Sequence, residues 1–144
     1  MGIRALTPLL DPNGDEYISV GSVGVAGGVA SLDANGKVTA AQASSHIVAV
    51  TGGKTLTLAD AGTFQRCTNS SAITITVPTD ASAAFPIGTE IEIYRGGAGT
   101  VTIAGASGVT LECVSSTRAI ADQYTSAALK KLDTNVWTLQ GNVG

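Results

Sequence analysis

The side chains of this sequence that could do chemistry are few, and their spacing limits what each could do. Glu90 and Glu92 stand two apart, which in an extended segment places both carboxylates on one face. A glycosidase needs two carboxylates facing each other across the bond to be cut. A same-face pair followed by Tyr94 reads instead as a solvated outer surface, unless another subunit supplies the opposing acid. The single histidine, His46, has no evident nucleophile to activate and reads as a surface or packing residue. Asp11-x-Asn13-x-Asp15 fits the first three ligand positions of a calcium loop. Glu16 stands where that loop requires glycine, and Ser22 where it requires a bidentate glutamate, so a plain turn is expected.

The glycine runs resemble phosphate cradles only superficially. Gly21-Ser22-Val23-Gly24-Val25-Ala26-Gly27-Gly28 lacks the lysine and hydroxyl residue of a P-loop, and Gly96–Gly99 sits between two strand patterns. Gly21, Gly24, Gly27 and Gly28 are better suited to letting several backbones approach closely. Trp137 and the tyrosines offer faces for a sugar, yet Trp137 lies between Val136 and Thr138 in a strand pattern and reads as core or subunit contact. Cys113 is in phase with Val109 and Leu111, which predicts a buried, reduced thiol rather than a disulfide to Cys67. The expectation is a protein that is not an enzyme, with no catalytic, cofactor-binding or metal-binding residues and no cofactor.

The elements that must position these residues fall into two unequal stretches. Residues 1–46 show no sustained period and contain two Asp-x-Asn-Gly turns, at Asp11–Gly14 and Asp33–Gly36. They read as an extended arm and linker with short hairpins. From Ile47 the pattern changes to period-2 alternation broken by turns. Ile73, Ile75 and Val77 alternate with threonines before Pro78, and Ile91 and Ile93 alternate with Glu90 and Glu92. Gly96–Gly99 then predicts a hairpin into Thr100–Ile103. Leu56–Leu58, Phe64–Thr68, Val109–Cys113, Thr125–Leu132 and Val136–Leu139 are further strands, with Asp133-Thr134-Asn135 as the last hairpin turn. Seven or eight short strands predict an all-β fold over residues 47–144, a compact antiparallel β-sandwich or barrel-like head.

Composition excludes several classes of partner. Of the 144 residues 13% are charged, about half the usual share, and the net charge is −3. Apart from Lys130-Lys131 no basic residues adjoin, so no nucleic-acid partner is expected. Residues 17–32 are interrupted by four glycines, too often for a membrane span, and Leu6 stands where a myristoylation motif needs Ser or Thr. With no export signal evident, synthesis and assembly inside a cell are expected.

Gly28-Val29-Ala30-Ser31-Leu32-Asp33-Ala34-Asn35-Gly36-Lys37-Val38 resembles a segment recurrent in tailed-bacteriophage fibres and related virion appendages, where it links an attachment region to a β-rich module. This chain departs from the commoner form at Thr39–Ser45, where a proline-bearing stretch is often found. Leu56–Gly62, Ile73–Pro78, Ile87-Gly88-Thr89 and Trp137-Thr138-Leu139-Gln140-Gly141 are also similar to such modules, so the resemblance covers roughly residues 20–144. It implies a trimeric virion structural protein with no catalytic residues to carry over. A short arm plus one head, with no long shaft, suits a capsid decoration (cement) protein on the capsid surface, assembled in the host bacterial cytoplasm. Its expected partners are the major capsid protein and itself. The apolar residues Ile3, Leu6, Leu9, Leu10, Tyr17 and Ile18 are the expected capsid contact, and Gly21, Gly24, Gly27 and Gly28 the trimer contact. The alternatives are a short tail or neck fibre, a receptor-binding head, or a carbohydrate-binding β module.

Overall fold

β-branched residues at alternate positions give strands that can bury one face and solvate the other. The computed structural model describes residues 45–144, and this alternation builds nine strands there. They are β1 (Ile47–Val50), β2 (Lys54–Thr55), β3 (Phe64–Cys67), β4 (Ile73–Val77), β5 (Glu90–Arg95), β6 (Val101–Gly105), β7 (Thr110–Glu112), β8 (Thr125–Asp133) and β9 (Val136–Gly141). The fold is all-β. The expected capsid-contact residues, the glycines of 21–28, and the Asp11–Asp15 turn lie outside the described residues.

The first six strands alternate between two sheets, so the chain coils. A six-stranded sheet has the order β1-β3-β5-β8-β9-β7, and a three-stranded sheet the order β2-β4-β6. Within each, successive coils pair in parallel: β1 with β3, β3 with β5, β2 with β4, and β4 with β6. After β6 the chain places β7 parallel to β9, and β8 closes the larger sheet by running antiparallel to both β5 and β9. The two sheets enclose one core containing Val50, Leu56, Ile75, Val77, Ile91, Ile93, Val101, Ile103, Leu129, Trp137 and Leu139. Each such aliphatic side chain contributes about 1.5–3 kcal/mol when fully buried.

Three sequence expectations are corrected by this topology. The head is mostly parallel, not antiparallel; only the β5–β8 and β8–β9 pairings are antiparallel. β5 and β6 do not form a hairpin, because Gly96–Gly99 carries the chain from one sheet to the other. Leu56–Leu58 is not a strand: β2 stops at Thr55, Leu56 is buried, and Leu58–Asp60 forms a single 3-10 turn. Its cause is local. The Asp60 carboxylate accepts from the Thr57 N–H at 2.8 Å, closing a capping box that ends the extended run. The Asp133-Thr134-Asn135 turn between β8 and β9 is present as expected, with Asn135 at φ 54°.

Candidate functional site

Several of the reactive side chains of the described residues are engaged within the chain. Glu90 and Glu92 both point outward from β5, and β8 lies beside them. Lys130 donates to Glu90 at 2.8 Å, and the Ser126 hydroxyl donates to Glu92 at 2.7 Å. The two acids therefore lie side by side on one face of the sheet. His46 is exposed just before β1. Trp137 is fully buried, edge-on to Phe85 at 5.3 Å, so the core reading of its position holds. Cys67 and Cys113 are both free; Cys67 is buried, whereas Cys113, just past the end of β7, is only half-buried. Burial pushes the Cys67 thiol up to about 11, against the opposing pull of the Lys54 ammonium.

Two charged clusters face the interior, and the sequence reading found neither. At the first coil, the Lys54 ammonium donates to Asp60 at 2.7 Å and to the Gln65 amide oxygen at 3.1 Å. Gln65 in turn donates to Asp60 at 3.0 Å, and the Thr63 hydroxyl donates to the Asp60 carbonyl at 2.7 Å. Burial raises the Asp60 pKa, but Lys54 and the Thr57 N–H together outweigh it and hold the carboxyl below its ordinary value. On β8, Lys131 follows Ala127 and Leu129 onto the inward face, where it pairs with Asp80. Its ammonium lies 5.6 Å from the centre of the Trp137 ring, and Asn135 accepts from the Asp80 N–H at 2.7 Å. The signal for Lys131 was present in the alternation: of two adjacent lysines on a strand, one must face inward.

Arg95 ends β5 and acts as a clamp. Its guanidinium donates to the carbonyls of Ala98, Gly99, Ile120 and Ala121 at 2.8–3.1 Å, joining the β5–β6 turn to the segment that follows β7. The same turn is packed onto the preceding coil. A Cβ at Gly97 would lie 2.6 Å from the Thr68 carbonyl carbon, and one at Gly99 would lie 2.5 Å from the Ser71 carbonyl carbon. The glycines at 96–99 thus serve stacking of backbones within the chain.

One open groove of about 400 Å³ lies where β7 ends beside β9, lined by Cys113, Val114, Thr138, Leu139, Gln140 and Val143 among others. The outer face of the larger sheet carries the Phe64–Tyr94 ring pair, with centroids 5.5 Å apart, beside the exposed Arg66. Among the described residues no group of three or more His, Cys, Asp or Glu side chains could hold a metal, and no helix is long and apolar enough to cross a membrane. No family model, curated protein or solved structure matches the chain.

Proposed function

We propose that this chain is a structural protein of a tailed-bacteriophage virion, a capsid decoration protein with an extended arm and a two-sheet β head. In this reading the arm binds the major capsid protein through Ile3, Leu6, Leu9, Leu10, Tyr17 and Ile18. Three chains associate where Gly21, Gly24, Gly27 and Gly28 meet. The observation that carries the proposal is the Gly28–Val38 segment, placed between an apolar, non-periodic stretch and a strand-rich one. The described head adds support of a different kind. Several of its charged side chains serve packing, as in Lys54–Asp60, Lys131–Asp80 and the Arg95 clamp. A second reading, a short tail or neck fibre, draws on the stacked parallel coils, an architecture that extends along one axis.

Deletion of residues 1–20 tests the first reading. The head carries its own core, so the truncated chain is expected to fold and to lose binding to capsids. Retained affinity would refute the arm as the contact. Copy number in purified particles separates the two readings: a number comparable to that of the shell subunits places the protein on the capsid, and a small fixed number places it on the tail.

A further inference from the structure

We propose that the head forms a covalent cross-link within the chain, an amide between the Lys54 side-chain nitrogen and the Gln65 side-chain carbonyl carbon, made by its own residues. Lys54 lies on β2 of the smaller sheet and Gln65 on β3 of the larger one, so the bond ties the two sheets together at the first coil. The three groups that such a reaction needs are already in contact. The Lys54 ammonium lies 3.1 Å from the Gln65 amide oxygen and 2.7 Å from the Asp60 carboxylate. The Gln65 amide nitrogen donates to the same Asp60 oxygen, Oδ1, at 3.0 Å. One carboxylate oxygen therefore touches both the nitrogen that attacks and the nitrogen that leaves.

The surroundings fix this arrangement. Asp60 Oδ2 accepts from the Thr57 N–H at 2.8 Å and from the Thr57 hydroxyl at 3.1 Å, which turns Oδ1 toward the two nitrogens. The Gln65 amide nitrogen also donates to the Thr63 hydroxyl at 2.5 Å, and this second bond orients the amide plane. Gln65 is 0% exposed and Asp60 4%, so water does not compete for the carbonyl carbon. The Lys54 side chain is 27% exposed, which gives the leaving group a way out. Amide exchange between free molecules is slow. Held in place, the same reactants gain effective concentrations of up to about 10⁵–10⁸ M.

The step balances without an oxidant or a co-reactant. Lys54 gives one proton to Asp60, and the neutral amine turns about its stem from the amide oxygen onto the carbon bonded to it. The Nζ–Cδ bond forms and the Cδ–Nε2 bond breaks. Asp60 carries both surplus protons of Nζ to Nε2, which departs as ammonium, and returns to its carboxylate form. An ammonium and a carboxamide thus become a secondary amide and a free ammonium ion. Lys131 shows the contrast. It is 2% exposed and paired with Asp80, yet the Asn135 amide oxygen accepts from the Asp80 N–H. Among the described residues only the Lys54 ammonium bonds to a carboxylate and a carboxamide together. The cross-link belongs to the head and does not rest on the virion reading.

The test uses the full-length protein, incubated in its native state and then unfolded and digested with trypsin. Intact mass is expected to fall by one ammonia. The digest is expected to contain a branched peptide joining Lys54 to Gln65, with cleavage after Lys54 lost and cleavage after Lys131 retained. The branched peptide decides the assignment, because Asn13-Gly14 and Asn35-Gly36 can also lose ammonia by ring closure. Lys54→Arg keeps the cation without an acylable amine and is expected to give no branched peptide. Asp60→Asn removes the proton carrier and is expected to slow its formation by roughly 10²-fold or more. Wild-type protein held in urea throughout is expected to form none, and this arm needs no variant to fold. Complete cleavage after Lys54 following prolonged native incubation, equal rates in wild type and Asp60→Asn, or the same branched peptide from urea-held protein would each overturn the proposal.

Discussion

Gly97→Ala probes the stacking of the coils directly. Gly97 does not have a positive φ, so alanine brings no intrinsic backbone strain there. The cost is one of space. The added Cβ would lie 2.6 and 2.8 Å from the carbon and oxygen of the Thr68 carbonyl, and closest of all to the Asn69 oxygen, where real Cβ atoms essentially never come within 3.0 Å. All three atoms belong to the backbone of the preceding coil, so no side chain can swing aside. The turn must lift, loosening the Gly97 N–H bond to Cys67 and the Gly99 N–H bond to Asn69, both 3.0 Å. Overpacking costs about 1–3 kcal/mol, and each of the two weakened hydrogen bonds adds roughly 0.5–1.5 kcal/mol, for a loss of about 2–6 kcal/mol. Gly52→Ala is the control, since nothing lies within 4 Å of its Cβ. It should be neutral or stabilising by about 0.4–1 kcal/mol through the unfolded chain. Urea unfolding of both variants measures the difference. Equal midpoints would refute the stacked-turn geometry, because a glycine in a free hairpin turn at negative φ would accept alanine as readily as Gly52 does.

Three further outcomes are expected. Asp60 has its folded pKa below the ordinary value of 3.8, so the unfolded chain binds more protons between the two values. Its contribution is complete above the ordinary pKa and is lost as pH falls through the folded one. Asp60→Asn should flatten the decline in Tm as pH falls through and below 3.8 and cost roughly 1–3 kcal/mol at neutral pH, read from thermal unfolding. Asp80→Ala leaves the Lys131 ammonium buried without its carboxylate, and should cost about 3–5 kcal/mol; the double variant Lys131→Met with Asp80→Asn should lose markedly less in chemical denaturation. Finally, with the Cys67 thiol buried and pushed up to about 11, a thiol reagent near pH 8 should modify Cys113 alone in the native protein and both cysteines on unfolding.

The strands were legible in the sequence and their pairing was not. Alternation at Ile73–Val77 and Ile91–Ile93 fixes extended backbone and an inward face, and both strands formed there. Alternation carries no information on whether the next strand returns in the same sheet or crosses to another. The coil repeat would have supplied it, but the offsets are unequal. Ile47 pairs with Phe64, 17 residues on, while Phe64 pairs with Glu92, 28 residues on. The longer interval includes residues 78–89 between β4 and β5, which hides the period. The Gly96–Gly99 run was ambiguous for the same reason, since glycine serves a tight hairpin turn and a close backbone crossing equally well. Of the candidate site residues, Glu90, Glu92 and Trp137 were placed correctly on their faces. Lys54, Asp60 and Gln65 were missed because their partnership depends on a turn that the pattern read as strand.

The buried polar groups settle a question that the apolar pattern leaves open. A parallel coil whose inward positions are Ile, Val and Leu could slip by two residues and still keep every aliphatic side chain inside, because the period is two. Such a slip changes little apolar burial, but it breaks contacts that hold in one register only. Moving β3 by two residues would take Gln65 away from Asp60 and Lys54 and set Thr63 or Cys67, neither of which carries an amide, in its place. Moving β8 by two would remove Lys131 from Asp80 and from the Trp137 face. Each displacement leaves a buried donor or carboxylate without its partner, at a cost of roughly 1–5 kcal/mol. The two clusters stand at separate places in the larger sheet, on β3 in the first part of the coil and on β8 where the antiparallel strands close it. Together with the glycine stack at Gly97 and Gly99, they hold the coils in one register.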